Sequence, residues 1–309
     1  MLKICNLSKS TQLFTLASLT VGLVWLTSCA DAGKKVEKTN QEKSAKTEKV
    51  EKKNSNLIEI EGKVFSIPSP IQTAFLLKEV GTDYQSTLLN PSDKASAYST
   101  SYNKALALGV YGADLGYATI FDQTQDAITY MAVSKKLASD LGISGVFNEG
   151  MVKRFEENLG NQDSLLALVA DGFKSSDRFL KENKQHDISV LVLAGGWIET
   201  LHFATSLASS TDNEALKNRI GEQKITIKNL VNILSPYTEN QVIADLANQL
   251  NELKDIYAGV TFTYTYIEPT TDAESKTTTI NSKSTVEMSD QQLKDIAAKL
   301  ESIRNSITN

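Results

Sequence analysis

The chain is poor in the residues that most often build metal and redox sites. Its 309 residues include two cysteines and two histidines, whereas protein zinc sites take three or four ligands, mostly from these residue types. We also find no glycine-rich phosphate loop, no serine nucleophile elbow and no plausible set of nucleophile, histidine and acid. The sequence therefore predicts no cofactor and no metal site, and it indicates no particular reaction.

Proline is also scarce, with five in the whole chain, and the breaks between apolar segments resemble helix ends. Asn90-Pro91 and Asn161 are typical of helix starts, and Ser235-Pro236 is typical of a helix end. Between these breaks, apolar residues recur at spacings of three and four, which predicts amphipathic helices. The predicted ranges are near 69–81, 91–121, 123–141, 148–159, 162–184, 187–209, 212–234 and 238–258.

These helices predict a mainly α fold for residues 57–309. Short turns between successive helices favour antiparallel packing. No residue pattern recurs at a fixed period, which argues against a helical-repeat array. We predict an antiparallel bundle of about eight to nine helices, followed by a C-terminal β-hairpin and one more helix.

The N-terminus has the features of a secretory signal. Lys3 and Lys9 precede an apolar segment over residues 13–26, which is shorter than the about 20 residues needed to cross a bilayer. The segment ends in Leu26-Thr27-Ser28-Cys29, which resembles the lipobox of bacterial lipoproteins. The resemblance implies removal of residues 1–28, acylation of Cys29 and attachment to a membrane. An ordinary signal peptide with an incidental cysteine is the alternative.

Residues 29–56 have the composition of a tether. Lysine, glutamate, serine, threonine and asparagine dominate, and aromatics are absent, so this stretch cannot bury enough surface to order itself. A flexible chain of this length reaches roughly 30 Å; a charged helix is the alternative. The whole chain carries a net charge of −5, with +2 in residues 1–28 and +3 in 29–56, which leaves −10 for residues 57–309. An acidic domain argues against nucleic acid as a partner.

The C-terminal part changes from a helical to an alternating pattern. Val260, Phe262, Tyr264 and Tyr266 alternate with threonines, and a second β-favouring stretch follows, which predicts a hairpin over 259–287. A capping box at Ser289 then predicts a helix over residues 289–307. Because an isolated hairpin is marginal in water, we expect this helix to sandwich the aromatic face against the bundle.

Two helices are apolar nearly all round, which is typical of the centre of a large helical domain. They are residues 105–121 and the helix that contains LAGGWIETLHFA, residues 193–204. Small residues form a stripe on each, and such stripes let helix backbones approach closely. We predict that the two helices cross there. The glycines assigned to this crossing are Gly109, Gly112, Gly116, Gly195 and Gly196.

The polar groups on these two helices are the candidates for chemistry. Asp114, Glu199 and His202 could form a catalytic or ligand site, and Glu199 with His202 has the Glu-x-x-His spacing of di-iron bundles. The chain lacks a second such pair. The favoured interpretation is that these groups satisfy one another inside the protein, because an unpaired buried charge is costly. A carboxyl pair between Asp114 and Glu199 could share a proton if the stripes meet.

Three aromatic residues on the same helices are candidates for ligand binding. They are Tyr111, Tyr117 and Trp197. Asp122 and Asp126, one turn apart, could form an exposed cation-binding face, but we interpret Asp122 as a helix cap. A ligand receptor would require a cavity of a few hundred Å³ between helices.

Several segments resemble uncharacterised lipoproteins of the Bacteroidota type. They are the lipobox, the charged tether, PSPIQ, VYGADLGYATIFDQTQD and GGWIE, and the likeness runs from about Ile67 to Ala208. The resemblance implies an envelope location and no known activity. A fainter resemblance is to imelysin-type helical lipoproteins, whose motif is Gly-x-His-x-x-Glu; GGWIETLHF has these residues in another order.

These features together predict a lipid-anchored protein of the bacterial cell envelope, in the outer membrane, either on its periplasmic face or at the cell surface. We expect it to act as a binding or assembly component, with another envelope protein as a possible partner. The alternatives are a metal-dependent or hydrolytic enzyme, or a small-ligand receptor, that uses the polar groups of the two central helices.

Overall fold

The structure is a computed structural model that describes residues 57–60, 63–66, 70–208, 211, 213–272 and 277–309. The predicted signal, the tether and the lipidation site Cys29 lie outside the described residues. All of the described residues belong to one compact unit.

The described chain is mainly helical, and it ends in a hairpin and a helix, as predicted. A short hairpin comes first, with strands β1 (Leu57–Ile60) and β2 (Lys63–Ser66). The helices are α1 (Pro70–Glu79), α2 (Ser101–Ile120), α3 (Thr124–Asp140), α4 (Glu149–Glu157), α5 (Gln162–Glu182), α6 (His186–Ala208), α7 (Glu214–Leu234) and α8 (Gln241–Ile256). The C-terminal part comprises β3 (Thr261–Thr265), β4 (Thr270–Asp272), β5 (Thr277–Thr279), β6 (Lys283–Glu287) and α9 (Asp290–Thr308).

Helices α2 and α6 form the centre of the molecule. Residues 105–120 of α2 are all buried, and most of α6 is buried as well. Helix α6 is long and apolar enough to cross a membrane, but 94% of its most hydrophobic 18-residue segment is buried inside the protein. Such burial is what the central helix of a water-exposed domain requires, since its whole circumference is covered by neighbouring helices.

Glycines set the close approach of α2 to α6. A Cβ atom at Gly109 would lie 2.0 Å from the carbonyl oxygen of Val192 and 2.6 Å from the backbone nitrogen of Gly196. A Cβ atom at Gly195 would lie 2.1 Å from the carbonyl oxygen of Leu106. Because both obstacles are backbone atoms, neither position has room for a side chain.

Gly112, which the sequence analysis assigned to the same crossing, faces a different helix. A Cβ atom there would meet the ring of Phe173 on α5 at 2.1 Å. The stripe of small residues on α2 therefore packs against two helices, α6 and α5. The reason is that residues three apart on a helix point in directions that differ by about 60°. Gly116 is buried in the same helix.

One predicted helix is divided in the structure. The range 91–121 comprises a 3-10 helix, Ser92–Ser96, and then α2. Thr100 begins α2, since its side chain accepts a hydrogen bond from the backbone nitrogen of Asn103 at 3.1 Å. The prediction that Asp122 caps the next helix is wrong. Asp122 has a φ of 57° and ends α2, and the N-cap of α3 is Gln123, which makes no side-chain cap bond.

The C-terminal hairpin consists of two short antiparallel ladders, β3 with β6 and β4 with β5, separated by an irregular stretch of residues 266–269 and 280–282, which we call the bulge. Thr261 pairs with Glu287 at the base, and Thr270 pairs with Thr279 nearer the tip. The register shifts by one residue between these two pairs, because four residues of one strand lie opposite three of the other. Side chains bridge the bulge: Ser282 bonds the backbone of Ile267, and Asn281 donates to the carbonyl oxygen of Glu268.

The predicted sandwich of this hairpin between α9 and the bundle is wrong. Every residue of β3 is exposed, and the hairpin contacts the bundle at its base. There, Val286 packs so closely on α7 that a Cβ atom at Gly221 would lie 2.2 Å from it. Helix α9 packs instead on α6 and α8, which leave no room for the hairpin beneath it.

The β1–β2 hairpin was not predicted from the sequence. Its register runs from Leu57 opposite Ser66 to Ile60 opposite Lys63. The sequence LIEIEGKVFS alternates apolar and polar residues around Glu-Gly, which is the pattern of a short hairpin. Strand β2 contacts α7, the same helix that holds the base of the C-terminal hairpin.

Candidate functional site

A buried ion pair between α6 and α9 occupies the centre of the candidate site. The guanidinium of Arg304 binds the carboxylate of Glu199 through two nitrogens, with Nε to Oε2 at 2.6 Å and Nη2 to Oε1 at 2.7 Å. Nη2 also donates to the carbonyl oxygen of Leu88 at 3.0 Å. The Glu199 side chain is fully buried, and that of Arg304 is 11% exposed. This two-point geometry is the strong form of an arginine–carboxylate contact.

Asp114 of α2 lies beside this ion pair and has no exposed surface. Its Oδ2 accepts a hydrogen bond from the backbone nitrogen of Asn90 at 3.3 Å. Its carboxyl group also lies close enough to that of Glu199 for each group to affect the pKa of the other. Oδ1 of Asp114 is buried and makes no hydrogen bond among the described residues, and a proton on one of the two carboxyl groups would allow them to bond to each other. The structure thus brings together Asp114 and Glu199, two of the three residues singled out for chemistry.

The electrostatics assign that proton to Asp114. Burial, together with the negative charge of Glu199, raises the pKa of Asp114 well above its usual range. Burial also raises the pKa of Glu199, but the hydrogen bonds and charge of Arg304 oppose this. Burial alone would lower the pKa of Arg304. The hydrogen bonds to Glu199 outweigh this effect, so the pKa of Arg304 is raised. The cluster is therefore a neutral Asp114, an ionised Glu199 and an ionised Arg304, with no net charge.

Replacing Asp114 by asparagine tests this protonation state. Because the folded pKa of Asp114 is raised, its contribution to stability is fully present below its unfolded pKa of about 4 and is lost as pH rises through the folded pKa. Asparagine keeps the shape, accepts from Asn90 and donates to Glu199, but cannot ionise. We expect Asp114→Asn to be neutral or stabilising by roughly 1 kcal/mol at pH 8, and less favourable relative to the wild type at pH 5.

Urea denaturation of the two proteins at several pH values measures this difference. The other titratable groups around Asp114 are Glu199, Arg304, Tyr98, Tyr111 and Tyr130, and the substitution leaves them in place. Asp114→Ala is the control: alanine cannot ionise either, but it leaves the Asn90 nitrogen without its acceptor, so this variant should be about 1–3 kcal/mol less stable than Asp114→Asn at every pH. A gap between Asp114→Asn and the wild type that stays constant from pH 5 to pH 8 would contradict a protonated Asp114.

His202, the third candidate, lies one turn beyond Glu199 and does not enter the carboxyl cluster. Its Nδ1 is 3.1 Å from Oε2 of Glu301 on α9. Burial and the nearby charge of Arg304 lower the pKa of His202 to about 3. The ring is therefore neutral at ordinary pH, and the contact with Glu301 is a hydrogen bond from a neutral N–H rather than an ion pair. A histidine held neutral and hydrogen bonded in this way fits the interpretation as a satisfied interior group.

The tyrosines proposed for ligand binding are enclosed by protein. Tyr111 and Tyr117 have no exposed surface, so neither presents a ring to a ligand. The Tyr111 hydroxyl donates to the carbonyl oxygen of Pro91 at 2.8 Å, and the Tyr117 hydroxyl accepts from the backbone nitrogen of Gln85 at 3.2 Å. Both rings therefore hold the segment between α1 and α2 against the bundle. The physical reason is that their helix lies at the centre of the fold and is surrounded on every side.

Trp197 is also a packing residue in this structure. Its Nε1 donates to Oε1 of Gln223 on α7 at 3.0 Å, and the side chain is 4% exposed. It lines a cavity of ≈ 10 Å³, together with Thr200 and Arg219. That volume holds about one water molecule, so this cavity does not supply the space that a small-ligand receptor needs. A larger groove of ≈ 320 Å³ lies away from the cluster, between α4 and α5.

Two members of the cluster escaped the sequence analysis. Arg304 lies 105 residues after Glu199, on a helix that was predicted for its apolar face alone. Asn90 was interpreted as a helix cap, whereas it is buried and its Nδ2 donates to the Tyr98 hydroxyl at 2.9 Å. One feature of the sequence could have indicated that Arg304 is buried, namely its position next to Ile303 in the apolar stripe of α9. Within the described part of the chain, no group of three or more potential metal ligands is found.

The arrangement as a whole can hold charge inside the protein, but it offers no surface to a substrate. Comparison with protein-family models, with curated proteins and with solved structures finds no match to this chain.

Proposed function

We propose that the protein is a lipid-anchored component of the bacterial cell envelope that acts by binding or assembly rather than by catalysis. One observation carries the non-enzymatic part of the proposal. Asp114 and Glu199, the acids best placed for chemistry, have no exposed surface. Arg304 already donates hydrogen bonds to both carboxylate oxygens of Glu199. A general acid or base must reach a substrate proton at hydrogen-bond distance, and these groups reach only each other.

The lipid anchor is supported by the sequence. Leu26-Thr27-Ser28-Cys29 has the lipobox pattern, and the resemblance to lipoproteins of the Bacteroidota type favours an outer-membrane or periplasm-facing location. The composition of residues 29–56 suits a tether between Cys29 and the described domain. The alternative is a metal-dependent or hydrolytic enzyme, or a ligand receptor, that opens the central cluster.

The test is to remove the charges of the cluster while keeping its volume. Glu199→Met together with Arg304→Met replaces a buried ion pair by apolar side chains, a change that is often neutral or stabilising. Once the variant is shown to fold, its activity is informative. We expect it to complement a deletion strain in an envelope-integrity assay as well as the wild type does, with cooperative urea unfolding as the proof of folding.

The anchor is tested in the same strain. Labelled palmitate should enter the wild type and the double variant, and it should not enter Cys29→Ala. A folded Glu199→Met/Arg304→Met protein that fails to complement would favour the enzyme or receptor alternative. Palmitate on Cys29→Ala would refute the assignment of the lipidation site.

A further inference from the structure

The C-terminal hairpin has an aromatic face that is covered at its base, where Val286 packs on α7, and that the protein leaves uncovered beyond this point. Phe262 and Tyr264 alternate with threonines along β3 and share one face of the hairpin, and Tyr266 continues this alternation just after the end of the strand. The exposed fractions of the three side chains are 39%, 65% and 68%. Within the bulge, Ile267 and Ile280 are also exposed, at 39% and 75%. Large apolar side chains grouped on a projecting element mark a contact site more often than scattered ones do.

The opposite face of the hairpin is polar, and its side chains bond to each other. Thr263 donates to Oε1 of Glu287 at 2.7 Å, and Thr261 donates to Oε2 of the same carboxylate at 3.1 Å. Thr285 lies directly across the ladder from Thr263. The hairpin is therefore amphipathic across its thickness, with one face suited to an apolar environment and the other suited to water.

The aromatic face also lacks formal charge near its base. Across the ladder, Phe262 is paired with Val286 and Tyr264 with Ser284. Tyrosine combines an apolar ring with a polar hydroxyl, which suits the boundary between lipid chains and headgroups. An uncharged face on an acidic domain fits a zwitterionic lipid surface better than a strongly anionic one.

The chain that precedes the domain brings this face near a membrane. Under the proposed function, the chain before β1 ends at an acylated Cys29, and the tether reaches roughly 30 Å. The tether leads into β1, whose partner strand β2 contacts α7, and β6 at the base of the hairpin contacts α7 as well. The entry of the tether and the hairpin thus share one supporting helix.

We propose that the aromatic face of the hairpin lies on the bilayer surface to which the protein is anchored. This inference rests on the lipid anchor of the proposed function. The acyl chains hold the protein to the membrane, and Phe262, Tyr264 and Tyr266 supply a second contact that orients the domain. Two weak membrane contacts on one chain reinforce each other, because the first raises the effective concentration of the second.

A pair of adjacent residues on opposite faces provides the test. Ser284→Cys places a thiol beside Tyr264 without removing an aromatic residue, and Thr285→Cys places one on the polar face as the matched control. Cys5 leaves with the signal and Cys29 is acylated under the proposed function, so each variant carries one free thiol for an environment-sensitive fluorophore. The lipidated full chain is then reconstituted into phosphatidylcholine vesicles.

We expect the probe at residue 284 to shift to the blue and to be quenched by nitroxide lipids, while the probe at residue 285 is unchanged. Adding Tyr264→Ser and Tyr266→Ser should reduce the bound fraction at residue 284 by about tenfold, because most of the apolar area is lost. Added anionic lipid should not strengthen the signal.

The anchor and the hairpin are measured separately in this design. Flotation of the vesicles reports the anchor, and the probe reports the hairpin, so a failed anchor is distinguished from a failed contact. Equal signals at 284 and 285 would overturn the inference. A blue shift at 284 that needs no vesicles and grows with protein concentration would also overturn it, in favour of contact between two copies of the chain.

Discussion

Replacing Glu199 by glutamine is expected to lower the free energy of unfolding by about 3–5 kcal/mol. The substitution removes the carboxylate that accepts two hydrogen bonds from Arg304 and leaves a guanidinium largely buried without its counter-charge. Because whole domains are stable by only about 5–15 kcal/mol, the variant should unfold at much lower urea concentration, as followed by far-ultraviolet circular dichroism.

The control for this substitution is Glu301→Gln on α9. Glu301 lies near the same cluster, but its side chain is 48% exposed and its contact with His202 does not require a charge. Its removal should cost less than about 1 kcal/mol, as for other exposed acids. Equal costs for Glu199→Gln and Glu301→Gln would show that the buried ion pair does not stabilise the fold.

The stability costs of replacing Asp114 and of replacing Glu199 should not be additive. When Glu199 is neutral, the charge of Arg304 lowers the pKa of Asp114, and Asp114 can ionise in its place. The double variant Asp114→Asn/Glu199→Gln removes that substitute. Its cost should therefore exceed the sum of the two single costs by about 1 kcal/mol or more, as is common for residues of one network. Strict additivity would mean that Asp114 does not respond to the loss of Glu199.

Replacing Gly195 by alanine is the second large effect, with an expected cost of about 3 kcal/mol or more. The new methyl group would overlap the carbonyl oxygen of Leu106, which is a backbone atom of a buried helix and cannot rotate aside. The helices α2 and α6 would have to separate along their whole contact. Thermal unfolding should show a melting temperature lower by many degrees.

Two other glycines separate this steric effect from general effects of the substitution. Gly145 has no heavy atom within 4 Å of the position of a Cβ, so Gly145→Ala should leave stability nearly unchanged. Gly112 faces the ring of Phe173, which is partly exposed and can move, so Gly112→Ala should fall between the two. If Gly195→Ala and Gly145→Ala have the same melting temperature, the close approach of α2 to α6 is not under steric constraint.

The helices were predictable because their signals are local. Apolar spacing, capping residues and glycine stripes occur within one helix, so the bundle and the closeness of its two central helices follow from the order of residues. The direction in which each glycine faces does not follow from local order. Gly109 meets α6, whereas Gly112 meets α5, and this choice depends on where the other helices pack.

The partner of the buried acid could not be predicted for the same reason. An ionised Glu199 inside a protein requires a counter-charge, but the sequence offers many lysines and arginines at similar distances along the chain. Arg304 is selected by the packing of α9 on α6. The alternation of Phe262, Tyr264 and Tyr266 likewise predicted an amphipathic hairpin, yet an alternating pattern carries no information on what covers the apolar face.

The position of Arg304 has a consequence for how the protein is made. The base that neutralises Glu199 belongs to the last helix of the chain, 105 residues later. Synthesis proceeds from the N-terminus, so the acid is made long before the base. Until the last helix is complete, Glu199 lacks the counter-charge that its burial requires, so α6 cannot be enclosed as it is in the finished domain. A copy that terminates before residue 304 never completes this pairing.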